Sequence, residues 1–257
     1  MFRSVVKSAS LFLLAFFVSA LPARAVSLES LTDSEKQLRI SIFNKVDPVL
    51  AKKKEKGTAP LFTYRQFYAP LNKKERAFLD EIRAVDPDKI EGASRPLPPP
   101  APDTEFVPLG KQVTIRDGKS IKLDPQYLPR AVYDAYQAMM AAMEKEIGKR
   151  LLVESGYRSP AYQLYLFLFY MPKHDFSIRE TNRHVALPGC SEHGSPARQA
   201  IDFITPGGIN GEDHPEEFEA LEEYRWLQRR AKSFGFYLSY PRGGKSAFEP
   251  WHWHYEQ

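Results

Sequence analysis

Apolar positions three and four apart recur along this chain and mark its helices before any chemistry is considered. In residues 129–148, Val132, Tyr136, Met139, Met140, Met143 and Ile147 fall at helical spacing, which predicts an amphipathic helix whose methionine and aromatic stripe is core packing. Residues 216–235 place Phe218, Leu221, Tyr224 or Trp226, Leu227 and Ala231 inward and stop at Gly235, which predicts one continuous helix. AYQLYLFLFY, residues 161–170, is apolar almost throughout, and Pro160 suits the first turn of a helix. Residues 27–90 also read as helical but charged. Thr32 to Glu35 and Asn72 to Glu75 have capping-box spacing, in which side chains satisfy the free amides of a helix start. The run AKKKEKG between them reads as a solvated face or loop.

Strand signals are fewer and cluster after residue 105. VTIRDGKSIKL predicts a hairpin with Asp117-Gly118 in a type I′ turn. LLVESGYRS reads as a buried strand leading into a polar turn, and FYLSYP and FEPWHWHYE as closing strands. SRPLPPPAP, residues 94–102, can continue neither a helix nor a central strand, so it reads as a stiff extended connector. The expected organisation is a helical N-terminal region at 26–93, a proline-rich linker at 94–109 and an α+β domain at 110–257, with no internal repeat.

The first 25 residues change the reading of charge and compartment. Arg3 and Lys7, then the apolar LFLLAFFVSA, then Ala23-Arg24-Ala25 have the form of a cleaved secretory signal, too short in its apolar run to span a membrane. The mature chain is therefore expected in the periplasm or outside the cell, without a transmembrane segment. Its formal charge falls from +4 to +1 as Arg3, Lys7 and Arg24 leave, which removes the electrostatic case for nucleic acid. Cys190 is the only cysteine, so no intrachain disulfide forms, and the fold must be held by its core, by a metal, or by both.

Three segments concentrate reactive groups: SGYRS with Arg158, PGCSEHGSPARQAIDF with Ser191, Glu192, His193 and Asp202, and EPWHWHYE with Glu249, His252 and His254. A catalytic zinc takes three protein ligands and leaves a position for water, and His193, Asp202 and one C-terminal histidine meet that count. A separate carboxylate must move protons, and Glu249 is placed for this, while Arg158 can hold a substrate carbonyl or carboxylate. The bland alternative is a set of unrelated polar residues: Asp202 closing a strand, Glu249 on an edge strand, His174, His184 and His214 in loops. No H-E-x-x-H pair is present to decide between the two, and spacing alone leaves His252 and His254 equal.

SGYRS, SEH with a following AID, YP and EPWH, in that order, resemble VanY-type D-alanyl-D-alanine carboxypeptidases. These belong to a group of zinc peptidases that includes lysostaphin and the hedgehog signalling domain. The resemblance covers about residues 110–257 and implies a small antiparallel sheet carrying a Zn2+ site, with packed helices. It implies His193, Asp202 and His252 as ligands, Glu249 as the catalytic base and Arg158 as the oxyanion-stabilising arginine. Ser191, Gln163 and His254 are then expected at the substrate, and residues 172–189 as one wall of the groove. The implied partner is a peptidoglycan stem peptide. The implied reaction is D-alanyl-D-alanine carboxypeptidase, with L,D-carboxypeptidase, D,D-endopeptidase or a non-catalytic wall-peptide-binding module as alternatives. Two departures stand out. The family pattern S-x-H-x-x-G-x-A-x-D is two residues longer here between His193 and Asp202, and E-P-W-H-x-R has His254 in place of arginine. Cys190 has no ligand role in that pattern and reads as a small buried residue.

Overall fold

Thr32 and Asn72 do cap helices: each accepts backbone amides while Glu35 or Glu75 returns the bond to the cap amide, starting α1 (Asp33–Glu55) and α3 (Lys73–Arg83). A third box, Thr63 with Gln66, starts the short α2 (Tyr64–Tyr68). The structure, a computed structural model, describes residues 26–244 and 247–256. The export segment expected at 1–25 lies outside the described residues. None of the described helices is long and apolar enough to cross a membrane.

The chain after the prolines is an α+β fold. Strand β1 (Phe106–Pro108) pairs with β4 (Tyr127–Pro129), and β2 (Val113–Arg116) with β3 (Lys119–Lys122). Asp117 and Gly118 have φ of 51° and 70°, the two positive values a type I′ turn requires. Helix α4 (Arg130–Ile147) buries Val132, Tyr136, Met139, Met140 and Met143 as its spacing predicts. Then come β5 (Leu152–Ser155), α5 (Pro160–Tyr170), α6 (Ile178–Asn182), β6 (Ala200–Ile204), α7 (Pro215–Ala220), α8 (Glu222–Arg230), β7 (Phe236–Leu238) and β8 (His252–Tyr255). The antiparallel sheet runs β5-β6-β8-β7. Val153, Ile201, Phe203 and Trp253 share a core with α4 and α8.

The helix expected over 216–235 is interrupted. Leu221 is extended, with φ −63° and ψ 147°, so α7 and α8 are separate. The break lets Phe218 meet Tyr224 edge-on, 6.2 Å between centroids, whereas residues six apart on one helix point to different sides.

A second core explains the N-terminal region. Helix α5 buries Ala161, Leu164, Tyr165, Phe167 and Leu168, too broad an apolar surface for the sheet alone to cover. Its cover comes from Ile42, Val46 and Leu50 of α1, Phe62, Phe67 of α2, and Phe78, Leu79 and Ile82 of α3. Helices α1 and α3 are tied by a buried carboxylate: Glu75 accepts from Ser41 at 2.7 Å and from Lys45 at 2.6 Å. Residues 26–93 therefore complete the core of α5. A chain trimmed to residues 104–257 should expose that surface, lose its cooperative thermal transition by near-ultraviolet circular dichroism, and bind a hydrophobic dye.

Candidate metal centre and active site

The register of the sheet assembles the site. Asp202 on β6 pairs directly with His252 on β8, and Ser155 at the end of β5 pairs with Asp202 from the other side. Alternation sends Ile201, Phe203 and Trp253 into the core and turns Asp202, His252 and His254 to the opposite face. An irregularity between Val153 and Ser155 ends β5 and leads into Gly156-Tyr157-Arg158. A Cβ on Gly156 would lie 2.5 Å from the Tyr127 carbonyl oxygen, so only glycine permits this approach.

His193 arrives from the turn before β6 and is held on both sides. Its carbonyl accepts from the Arg158 amide at 3.0 Å, and its Nδ1 lies 2.8 Å from the Gly156 carbonyl oxygen. A carbonyl can only accept, so Nδ1 carries the proton and Nε2 presents a lone pair. That Nε2 is buried without a hydrogen-bond partner, yet it stands 3.1 Å from Asp202 Oδ2. Two electron-rich atoms at that separation call for a cation between them.

His252 completes the arrangement. Its Nδ1 is 2.8 Å from Asp202 Oδ1 and its Nε2 is 3.0 Å from Glu192 Oε2. Ligand atoms of His193, Asp202 and His252 all lie within 4.8 Å of one another. Burial works against charge on the His252 ring, but Asp202 and Glu192 raise its pKa to about 10. The surroundings thus favour positive charge here, whether a proton or a divalent cation supplies it. Burial likewise opposes ionisation of Asp202, but His193 and His252 hold it well below the usual carboxylate range. With a neutral His193, an ionised Asp202 and Glu192 accepting at His252 Nε2, the three residues offer a donor set that fits a divalent metal such as zinc.

Glu249 stands beside this cluster, its Oε2 3.8 Å from His252 Nδ1. Burial pushes its pKa up to about 7, and the charges of Asp202, Glu212 and Glu192 add to this against the pull of His252. A carboxyl poised near neutrality suits proton transfer. Arg158 continues from β5 toward the same point; its Nε is buried without a partner, and its charge helps keep His193 neutral.

The remaining expected residues divide. Gln163 and Ser191 line a cavity of about 270 Å3 together with Arg158, and Pro188 and Gly189 bring the end of the 172–189 stretch to it. Earlier in that stretch, Ile178 and Leu187 are buried in the α5 core instead. His254 lies outside the lining of this cavity: it is 4% exposed, with Nδ1 2.7 Å from the Ser239 hydroxyl. Cys190 is buried, and burial pushes its thiol up to about 11. The sequence reading missed the role of Glu192, which reaches His252 across 60 positions. It also missed Gly156 and Tyr240, whose ring lies 5.0 Å from that of His252. Each had a sequence signal in its place within a motif, Glu192 in SEH, Gly156 in SGYRS and Tyr240 in YP, but no role was read from it.

Glu249 carries a pH dependence of defined sign. Its folded-state pKa of about 7 exceeds the ordinary 4.5, so the folded protein holds the extra proton between those values. Stability must therefore fall as pH rises through this window. The side chain is 31% exposed, and screening reduces the cost to about 1–2 kcal/mol. In chelator, Glu249→Gln should exceed wild type by about that amount at pH 8 and match it at pH 4.5, as read by urea unfolding.

Residues 125–257, just over half of the chain, match the sequence profile of the VanY family, described as D-alanyl-D-alanine carboxypeptidase. The chain is 32% identical over 141 residues to "Putative carboxypeptidase YodJ" of Bacillus subtilis (strain 168), covering 52% of this chain and 48% of that protein. It thus spans about half the length of that relative. It is also similar to the solved structure of the LdcB LD-carboxypeptidase, at 28% identity and a TM-score of 0.48, over 62% of this chain and 72% of that one. A mutant of the vancomycin resistance D,D-pentapeptidase VanY in complex with Zn(II) is similar at 24% identity and a TM-score of 0.43, over 64% and 86% of the two chains. On the profile match, this chain belongs to the VanY family of D-alanyl-D-alanine carboxypeptidases.

Proposed function

We propose that this protein is an exported, zinc-dependent peptidase acting on peptidoglycan stem peptides, of the D-alanyl-D-alanine carboxypeptidase type. L,D-carboxypeptidase and D,D-endopeptidase activity are the neighbouring readings within the same fold. The observation that carries the proposal is the meeting of His193, Asp202 and His252 within 4.8 Å, with a lone pair of His193 facing a carboxylate and Glu249 beside them. Family membership supports the substrate class.

His193 through Nε2, Asp202 through its carboxylate and His252 through Nδ1 would hold the metal. When bound, zinc supplies Lewis acidity toward the scissile carbonyl and lowers the pKa of a water molecule. Glu192 keeps the proton of His252 on Nε2, which leaves Nδ1 free to ligate. Glu249 accepts a proton from the attacking water and passes it to the departing amine. Its protonated form is accessible near neutral pH, so it can serve both steps. Arg158 offers an unpartnered guanidinium nitrogen where charge develops on the carbonyl oxygen. A purely structural metal would need neither Glu249 nor a free arginine, which speaks against the binding-module alternative.

Digestion of purified muropeptides by the zinc-loaded protein should release the terminal residue of tetra- or pentapeptide stems. Glu249→Gln should keep its zinc and lose activity by about 100-fold or more. Full zinc occupancy with no cleavage by the wild type would sink the enzyme reading. The ligand assignment is tested apart from activity: His252→Ala should fail to retain stoichiometric zinc by elemental analysis, whereas His254→Ala should retain it.

A further inference from the structure

The cavity beside Arg158 is only half built by the family-matched region. Its lining joins Arg158 and Gln163 to Tyr64, Arg83, Pro96 and Leu97, all four of which precede residue 125. We propose that the N-terminal helices and the proline segment form the outer wall of the substrate site. In that wall, Arg83 is a specificity-determining residue that binds, with Arg158, the C-terminal carboxylate of the peptide. This rests on the peptidase reading above and commits it to a chain end rather than a continuing chain.

The polar groups of the cavity are unbalanced in one direction. Its lining contributes two guanidinium groups, Arg83 and Arg158, and no carboxylate among the described residues. Gln163 is 2% exposed; its Nε2 donates to the Ala186 carbonyl at 2.8 Å, and its buried Oε1 has no partner. An acceptor left unpaired in a buried wall costs free energy until a ligand N–H meets it. Cations for a carboxylate and an acceptor for an amide N–H describe the end of a peptide. The leaving residue carries its carboxylate next to the scissile amide. That places it near Arg158, whose backbone amide donates to His193 at 3.0 Å.

The wall is fixed before any ligand arrives. From Pro96 to Pro100, Leu97 alone has a backbone N–H, and it donates to the Gly189 carbonyl at 2.9 Å. A polyproline segment pinned at that point holds its shape at little entropic cost. The Tyr64 hydroxyl donates to the Pro160 carbonyl at 3.3 Å, and the Arg83 guanidinium lies 3.9 Å from the Tyr64 ring centroid. Arg83 Nη1 also donates to the Tyr68 hydroxyl at 3.2 Å and faces the 61% exposed Asp80 carboxylate at 3.5 Å, but both partners meet this one nitrogen and the ion pair is screened, so they do not occupy the guanidinium fully.

The test is a thermodynamic cycle on the full-length, zinc-loaded Glu249→Gln protein, with turnover checked in the same samples. Diacetyl-L-Lys-D-Ala-D-Ala and its C-terminal amide are titrated by calorimetry with Arg83 present, with Arg83→Gln and with Arg83→Lys. The free acid should bind about tenfold or more tightly than the amide, and Arg83→Gln should remove most of that preference by weakening the acid alone. Arg83→Lys should restore part of it, which a merely structural role would not produce. The proposal is overturned if acid and amide bind alike, if neither binds at millimolar concentration, or if Arg83→Gln weakens both peptides equally or neither. Selective binding of the acid by a wild type that cleaves neither peptide would leave the carboxylate pocket standing and sink the peptidase reading alone.

Discussion

Asp202 places one carboxylate oxygen 3.1 Å from His193 Nε2 and the other 2.8 Å from His252 Nδ1, and the rest of the site is organised around that bridge. A buried carboxylate costs several kcal/mol unless its charge is answered. Here Glu192, Glu212 and Glu249 lie near enough to add to the problem. The surplus of negative charge is what makes the point attractive to a cation, and it adds to the burial that lifts the Glu249 pKa toward neutrality. The geometry needs no flexible loop to bring the partners together, because Asp202 and His252 are register neighbours on paired strands.

The same economy links core packing to the shape of the groove. Helix α5 starts two residues after Arg158 and is apolar around most of its surface, so something must cover it. The N-terminal helices do so, and their edge then lies against the cavity: Tyr64 opens α2 and Arg83 closes α3. The bond from the Ser159 hydroxyl to the Phe62 carbonyl fastens this unit immediately beside the arginine. A region whose sequence carries no chemical motif therefore reaches the cavity through where its hydrophobic face must go.

What the sequence made legible follows from how local each signal is. Capping boxes at Thr32 and Asn72, the α4 stripe and the Asp117-Gly118 turn depend on neighbours within a few residues, and all are present. The break at Leu221 was not visible, because no glycine or proline marks it and the contact it permits, between Phe218 and Tyr224, has no local sequence signal. His252 and His254 could not be separated by periodicity, since both point to one face of β8. Long-range register distinguishes them: His252 lies opposite Asp202, whereas His254 lies opposite Ala200. The proline segment was legible as stiff and extended, but nothing in its composition told that Leu97 would be pinned to Gly189 beside the site.

Register also draws together two departures from the family pattern that look independent in the sequence. The lengthened stretch after His193 carries Arg198, whose Nε donates to Glu192 Oε1 at 2.6 Å and whose guanidinium comes within 3.5 Å of His254 Nδ1. Ser239 has one hydroxyl proton, and at 2.6 Å from Glu192 Oε2 it donates to that carboxylate. That hydroxyl also lies 2.7 Å from His254 Nδ1, and His254 Nε2 lies 3.3 Å from Glu256 Oε1. Burial, reinforced by Arg198, keeps the His254 ring neutral, with its pKa lowered to about 4. His254 is thus uncharged where the family pattern has a cation, and the cation beside Glu192 comes from the longer loop. Glu192 in turn sets the tautomer of His252, so the loop insertion and the strand substitution act on one hydrogen-bond chain and have to be read as one rearrangement.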